Sequence, residues 1–229
     1  MTARDLAGDV YLAAHDAIAR ANFGVASYRS PRRSDVLKQI LRIRRDRKML
    51  LTTLEAYQLY ASARAVQKIA GDAAEVGVFR GASAKVIRLA LPEKRLHLFD
   101  TFEGLPEPEA IDGNFPSGRF SCGLDQVKDY LGSEPDTHFY AGLFPASGAP
   151  VEDRTFAFVH LDMDLYKGTL AALNWFYPRM SPGGVILTHD YIVQPGPTKA
   201  FEEFFEEKPE PIIELSGYQC MAVKLPASR

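Results

Sequence analysis

Two short segments hold residues whose types and spacing could do chemistry: HLDMDLY at His160–Tyr166 and THDY at Thr188–Tyr191. Each follows an apolar run that reads as a strand, which places Asp162, His189 and Asp190 at strand ends. If the two strands are neighbours, the three side chains meet at one rim of a sheet. Carboxylates gathered there can hold a hard divalent ion or take a proton from a hydroxyl. Asp164 shares a face with Asp162 if the extended chain continues; otherwise it caps the helix that begins near Lys167. His160, inside the strand, reads as a packing histidine, and Tyr166 and Trp175 as core.

A third segment, AEVGVFRGAS at Ala74–Ser83, reads as strand, glycine turn and helix. Gly77 lets the backbone turn sharply and approach a ligand. The helix that begins near Gly81 or Ala82 offers unpaired N–H groups to a carboxylate. Asp100 ends the next strand, where an acidic group can accept hydrogen bonds from ribose hydroxyls; as an ordinary side chain it would cap the turn. Val78, Phe79 and Arg80 separate the glycines, so the GxGxxG needed for a pyrophosphate is absent. A nucleoside with a short charged tail fits better, and a nicotinamide oxidoreductase is disfavoured.

The elements that must position these groups fall into two regions. Residues 1–70 read as helical, a cap or oligomerisation segment: Asp5–Asn22, then a helix with Val36, Leu37, Ile40, Leu41 and Ile43 near one face and Ser34 or Asp35 as cap, then roughly Thr52–Ala70. The basic run Arg42–Lys48 is a solvated face or subunit contact. Residues 71–229 alternate strands and helices. Ser181-Pro182-Gly183-Gly184 stops the helix that follows Lys167. Pro211–Ser216 and Tyr218–Leu225 lie too close for a crossover helix and must pair antiparallel. The fold class is α/β: a doubly wound, mostly parallel seven-stranded sheet with a terminal antiparallel hairpin strand. Glu103–Cys122, rich in proline and glycine, reads as a lid or binding loop at the ligand edge. With Tyr28 and Phe144, its Phe115 and Phe120 are candidate acceptor contacts.

Hydrophobic residues are 46%, charged residues 24% and the net charge is −2. That balance speaks against a nucleic-acid partner. No apolar run is long enough to span a bilayer, and the amino-terminal residues lack signal-peptide order, so a cytoplasmic protein is expected. Two cysteines, Cys122 and Cys220, make neither a disulfide framework nor a metal-ligand spacing.

The runs EVGVFRGAS, LHLFDTFEGLP and LDMDLYKGTLAALNWFYPRMSPGGVILTHDY resemble the macrocin O-methyltransferase family, from about residue 50 to about 205. These are class I S-adenosylmethionine-dependent methyltransferases that act on sugar hydroxyls of natural products. The spacing of Glu75, Gly77, Phe79 and Ser83 also resembles catechol O-methyltransferase. The resemblance implies S-adenosyl-L-methionine as cofactor. Glu75, Gly77 and Ser83 would hold its methionine end, Asp100 its ribose, Gly142 and Leu143 would flank its adenine, and Phe79, Gly81 and Thr101 would also contact the cofactor. Asp162 would serve as cofactor contact, metal ligand and candidate general base, and the acceptor would be a small-molecule hydroxyl such as that of a sugar. A homodimer is the family-level expectation. The family continues with two adjacent aspartates that complete a magnesium site. Here His189 replaces the first and Asp190 keeps the second. Three outcomes follow: weak magnesium binding, a metal that tolerates imidazole, or loss of the metal with His189 as general base. A protein that binds the cofactor without catalysis is the remaining alternative.

Overall fold

Capping and apolar spacing explain the helices that lead into the sheet. The computed structural model describes residues 31–113 and 115–226; the helix expected at Asp5–Asn22, and Tyr28, lie outside them. Helix α1 spans Pro31–Asp46, with proline in the first turn, where its missing N–H costs no hydrogen bond. It therefore starts ahead of the expected Ser34 or Asp35 cap. Val36, Leu37, Ile40 and Ile43 are buried, but Leu41 is 43% exposed. One residue beyond Ile40, it is turned about 100° off the apolar stripe. Helix α2 spans Thr53–Ala65, shorter than the expected reach to Ala70. Thr52 and Glu55 form its capping box: the Glu55 N–H donates to Thr52 Oγ1 at 3.2 Å, and the Thr52 N–H donates to Glu55 Oε2 at 2.7 Å. Such a cap contributes about 1 kcal/mol.

The strands are β1 Asp72–Val76, β2 Leu96–Asp100, β3 Thr137–Ala141, β4 Phe156–Leu161, β5 Met180–Thr188, β6 Ile213–Glu214 and β7 Cys220–Val223. They form one sheet in the order β3-β2-β1-β4-β5-β7-β6. β1 to β5 are parallel, and β7 runs antiparallel to both β5 and β6. Helices α3 Ala82–Ala90, α4 Leu124–Leu131, α5 Tyr166–Phe176 and α6 Pro195–Phe205 follow β1, β2, β4 and β5. β1 and β4 are buried along their whole length, as central parallel strands covered on both faces must be. Ala73 and Leu98 join a cluster with α1, α2 and α3 on one face. Their neighbours Ala74 and Phe99 join Phe176 and Phe201 on the other. The period of two thus delivers alternate residues to two cores. α1 and α2 share the first core with the sheet.

Ser181–Gly184 does not stop a helix. α5 ends at Phe176, a short 3-10 turn follows, and all four residues belong to β5. The pairing of β5 with β4 slips there: Phe156 faces Met180 but Phe158 faces Val185. The extra residues bulge out, which a Gly-rich segment tolerates. Among the described residues no helix is long and apolar enough to cross a membrane.

Candidate active site

Strand order reverses between β1 and β4, and a crevice opens beyond their carboxyl ends, the usual ligand position in an open α/β sheet. A cavity of about 640 Å³ occupies it. Its lining includes Gly77, Phe79 and Ser83 after β1, Asp100 and Thr101 after β2, Gly142 and Leu143 after β3, Asp162 and Asp164 after β4, and His189 and Asp190 after β5. Five strand ends therefore bring together nearly every residue singled out from the sequence.

Glu75 and Gly81 do not line the cavity. Glu75 is wholly buried and bonded through Oε1 to His160 Nδ1 at 2.9 Å, while its Oε2 has no hydrogen-bond partner. Burial raises its pKa, against the opposing influence of His160 and Ser83. Glu75 thus stands behind the turn, paired with His160 rather than facing the cavity. His160 packs within the sheet as expected, but it is only half satisfied: Nδ1 meets Glu75, while Nε2 is buried without a hydrogen-bond partner. Gly81, at φ 81°, is the N-cap of α3 and packs toward Leu131. Gly77 has φ 87°, and a Cβ there would run into the Asp162 carbonyl oxygen. The glycine is needed where β1 and β4 close on each other, in addition to any approach to a ligand.

Asp100 performs the turn-capping role. Its Oδ2 accepts the N–H groups of Val78 at 2.7 Å and Phe79 at 2.9 Å, and its Oδ1 accepts that of Phe102 at 2.7 Å. Each carboxylate oxygen has two acceptor sites. Thr101 Oγ1 also lies 3.4 Å from Oδ1, so the carboxylate is engaged on both oxygens and holds the glycine turn to the end of β2.

The acidic rim is set by register. Leu161 pairs with Thr188, so Asp162 and His189 leave adjacent strands side by side, and the His189 N–H donates to the Leu161 carbonyl at 2.9 Å. His189 Nδ1 lies 3.1 Å from Asp190 Oδ1 and 3.4 Å from Asp162 Oδ1. Its Nε2 faces Glu55 Oε2 at 3.8 Å. Burial disfavours charge on this ring, but Asp162, Asp190 and Glu55 outweigh it and raise the His189 pKa well above 6.5. Burial likewise opposes ionisation of Glu55, yet His189 with the N–H groups of Thr52 and Tyr218 brings its pKa down to about 2. Asp164 is pushed up to about 8 by burial and by the charges of Asp162 and Asp190.

Asp164 does not cap α5. The chain turns at Asp164 with φ 59°, and the N–H of Tyr166 goes instead to Asp112 Oδ1 at 2.7 Å. Asp112 sits in the loop after β2, in a short 3-10 turn at Ala110–Asp112, and is 2% exposed. The loop is therefore pinned to α5 at the cavity. Phe115 and Phe120 of that loop line the cavity, as does Phe144, which also stacks on Phe176 with ring centroids 5.2 Å apart. Tyr166 is not core: it is part-exposed, and its hydroxyl donates to Glu203 at 2.6 Å. Trp175 packs partly buried against the second core, and Arg42, Arg44, Arg45 and Lys48 are solvated. Glu55 and Asp112 were not singled out from the sequence. The pattern T-x-x-E at Thr52–Glu55 signals a helix cap, and nothing in it signals a second role.

The model of the family described as macrocin O-methyltransferase matches residues 52–218. The chain is 33% identical to the 8-demethyl-8-(2,3-dimethoxy-alpha-L-rhamnosyl)-tetracenomycin-C 4'-O-methyltransferase of Streptomyces olivaceus, over 55% of this chain and 54% of that protein. It is 27% identical to the demethyldecarbamoylnovobiocin O-methyltransferase of Streptomyces niveus, over 59% of this chain and 58% of that one. It thus spans little more than half the length of these relatives. Among solved structures, the O-methyltransferase NovP superposes with a TM-score of 0.64 at 20% identity, covering 76% of this chain and 82% of that one. The calicheamicin methyltransferase CalS11 gives 0.64 at 19%, covering 87% and 95%. The fold is that of the class I O-methyltransferases, and by the match across its sheet and rim this chain belongs to the macrocin O-methyltransferase family.

Proposed function

We propose that the chain is an S-adenosylmethionine-dependent O-methyltransferase that methylates a hydroxyl of a small molecule, foremost a sugar hydroxyl of a natural product. One observation carries this reading: a single cavity joins the glycine turn and Asp100 to the Asp162–His189–Asp190 rim. A binding site for a nucleoside and a site for handling a proton face the same space. The relatives named above, sugar and natural-product O-methyltransferases by their names, support the acceptor class.

The cofactor, when bound, supplies a methyl group on a sulfonium centre, so the protein's task is to align the acceptor and manage its proton. Asp162 is the proton acceptor of this scheme. Burial disfavours its ionised form, but the His189 charge beside it holds its pKa below the ordinary value. Without a metal, His189, held protonated by its carboxylate neighbours, keeps Asp162 charged, and Asp190 orients the ring. The donor set Asp162, His189 and Asp190 also fits a divalent ion: its ligand atoms lie within 4.8 Å of one another. Such an ion would lower the pKa of an acceptor hydroxyl. The lid residues Phe115 and Phe120 close over the acceptor and exclude water.

Calorimetry with S-adenosylhomocysteine, followed by turnover against a panel of glycosides and phenols, tests the reading. Binding plus methylation of a hydroxyl substrate is expected. Absence of binding would overturn it, and binding with no turnover across the panel would leave a cofactor-binding protein.

A further inference from the structure

The rim contains a residue that the strand ends do not predict. Glu55 comes from α2, outside the strand-end set, yet its carboxylate lies behind His189. It is 2% exposed and held on two sides: Thr52 N–H donates to Oε2 at 2.7 Å and Tyr218 N–H to Oε1 at 3.0 Å. His189 is itself 9% exposed, and its Nε2 has no hydrogen-bond partner. The imidazole is thus set between two carboxylates at Nδ1 and one at Nε2.

At 3.8 Å the Glu55 carboxylate stands beyond hydrogen-bond reach of Nε2, but on the side where a metal-bound histidine keeps its carboxylate partner. A ligating imidazole keeps its proton on the far nitrogen and donates that N–H in a hydrogen bond to a carboxylate, which fixes ring angle and tautomer. Ligand atoms about 2.1 Å from one octahedral ion lie roughly 3 Å apart in cis positions. The Nδ1 separations of 3.1 and 3.4 Å from Asp190 and Asp162 suit that geometry. One nitrogen and two carboxylate oxygens form a softer set than three carboxylates. Magnesium coordinates imidazole poorly, whereas manganese, iron, cobalt and zinc accept it.

We propose that Glu55 is the positioning residue of a one-histidine, two-carboxylate site, and that through it the chain binds a transition-metal ion in preference to magnesium. The inference rests on the methyltransferase reading of this cavity. As the ion binds, Nδ1 gives up its proton to solvent, Nε2 keeps its own, and Glu55 accepts that hydrogen bond.

The test uses the chelator-stripped full chain. Cobalt(II) is followed by its visible absorption, and manganese and magnesium by calorimetry. The wild type is expected to bind cobalt at least tenfold more tightly than magnesium. Glu55→Gln should weaken cobalt binding about 10- to 100-fold. His189→Asp should swing the preference to magnesium, and adding Glu55→Gln to it should change nothing further. Because Glu55 also caps α2, a wild-type measurement stands beside the variants. With zinc, two-bond 1H–15N spectra should show one ring, missing in His189→Asp, with Nδ1 metal-bound and Nε2 protonated. The opposite tautomer, magnesium binding as tight as cobalt, or no metal binding by a chain that still binds S-adenosylhomocysteine, overturns the proposal. Failure to bind S-adenosylhomocysteine overturns the methyltransferase reading instead, while the metal titrations still judge Glu55 on their own.

Discussion

Two buried histidines occupy opposite edges of the same sheet, and they are built differently. His97 lies at the amino-terminal edge, with Nδ1 3.0 Å from the Tyr140 hydroxyl and Nε2 3.0 Å from Asp72 Oδ2. Asp72 is neutralised from the other side by Arg154 at 2.8 Å. Burial prevails there, and the His97 pKa is lowered despite Asp72. His189 lies at the carboxyl edge, where burial also opposes its charge but three carboxylates prevail. Among the described residues no lysine or arginine pairs with Asp162, Asp190 or Glu55. One edge is therefore a closed, charge-balanced network that serves stability. The other has carboxylates in excess of cations around a cavity, a place built to receive positive charge. Burial of a histidine beside an aspartate does not by itself mark a site; the uncompensated charge does.

The largest effect that separates the two edges is catalytic. Asp162→Asn should lower turnover by about 10²–10⁴-fold, the usual worth of a proton acceptor. Asp72→Asn should leave turnover as it is. Steady-state kinetics on the two variants decide, and equal turnover in both would erase the functional half of the contrast.

A smaller effect is thermodynamic. Glu55→Ala leaves the buried His189 short of a counter-charge and two N–H groups without acceptors, which should cost about 3 kcal/mol or more. Asp72→Ala should cost about 1–2 kcal/mol, because its partner Arg154 has 39% of its side chain exposed and can turn to water. Urea denaturation measures both, and the reverse order would mean that the carboxyl edge is the better compensated one.

The smallest effect is in the pH dependence of stability, and it has opposite signs at the two edges. The folded pKa of His97 lies below 6.5, so its contribution is full above pH 6.5 and fades as pH falls toward the folded value. The folded pKa of His189 lies well above 6.5, so its contribution is full below pH 6.5 and is lost as pH rises through the folded value. In chelator-treated protein, His97→Gln should flatten the acid limb of the stability profile and His189→Gln the alkaline limb. Chemical denaturation at several pH values reads this directly, and changes on the same limb in both variants would contradict the assignment.

How much of this was legible before folding differs by element. The strands β1, β2, β4 and β5 are short apolar runs bounded by polar or glycine residues, and their order could be inferred because crossover helices separate them. Once β4 and β5 are taken as neighbours, Asp162 and His189 must be adjacent, since parallel register carries both to the same rim. The glycine turn showed as Gly77 and Gly81 after an apolar run, and the structure adds that a Cβ at Gly77 would meet the Asp162 carbonyl. The Ser181–Gly184 segment misled, because proline and glycine that commonly end a helix can also form a bulge when a neighbouring strand supplies the pairing.

By itself the sequence determined the sheet, the cofactor-side turn, the rim of Asp162, His189 and Asp190, and the family to which these belong. All of these follow from local pattern: side-chain period, turn residues and strand-end positions. Tertiary structure alone decided that Glu55 stands behind His189, that Asp112 rather than Asp164 caps α5, and that Asp100 ties the turn to β2. Each of these is a contact between groups far apart along the chain. Its energy depends on burial and on which charges remain unpaired, quantities that no local stretch of residues contains.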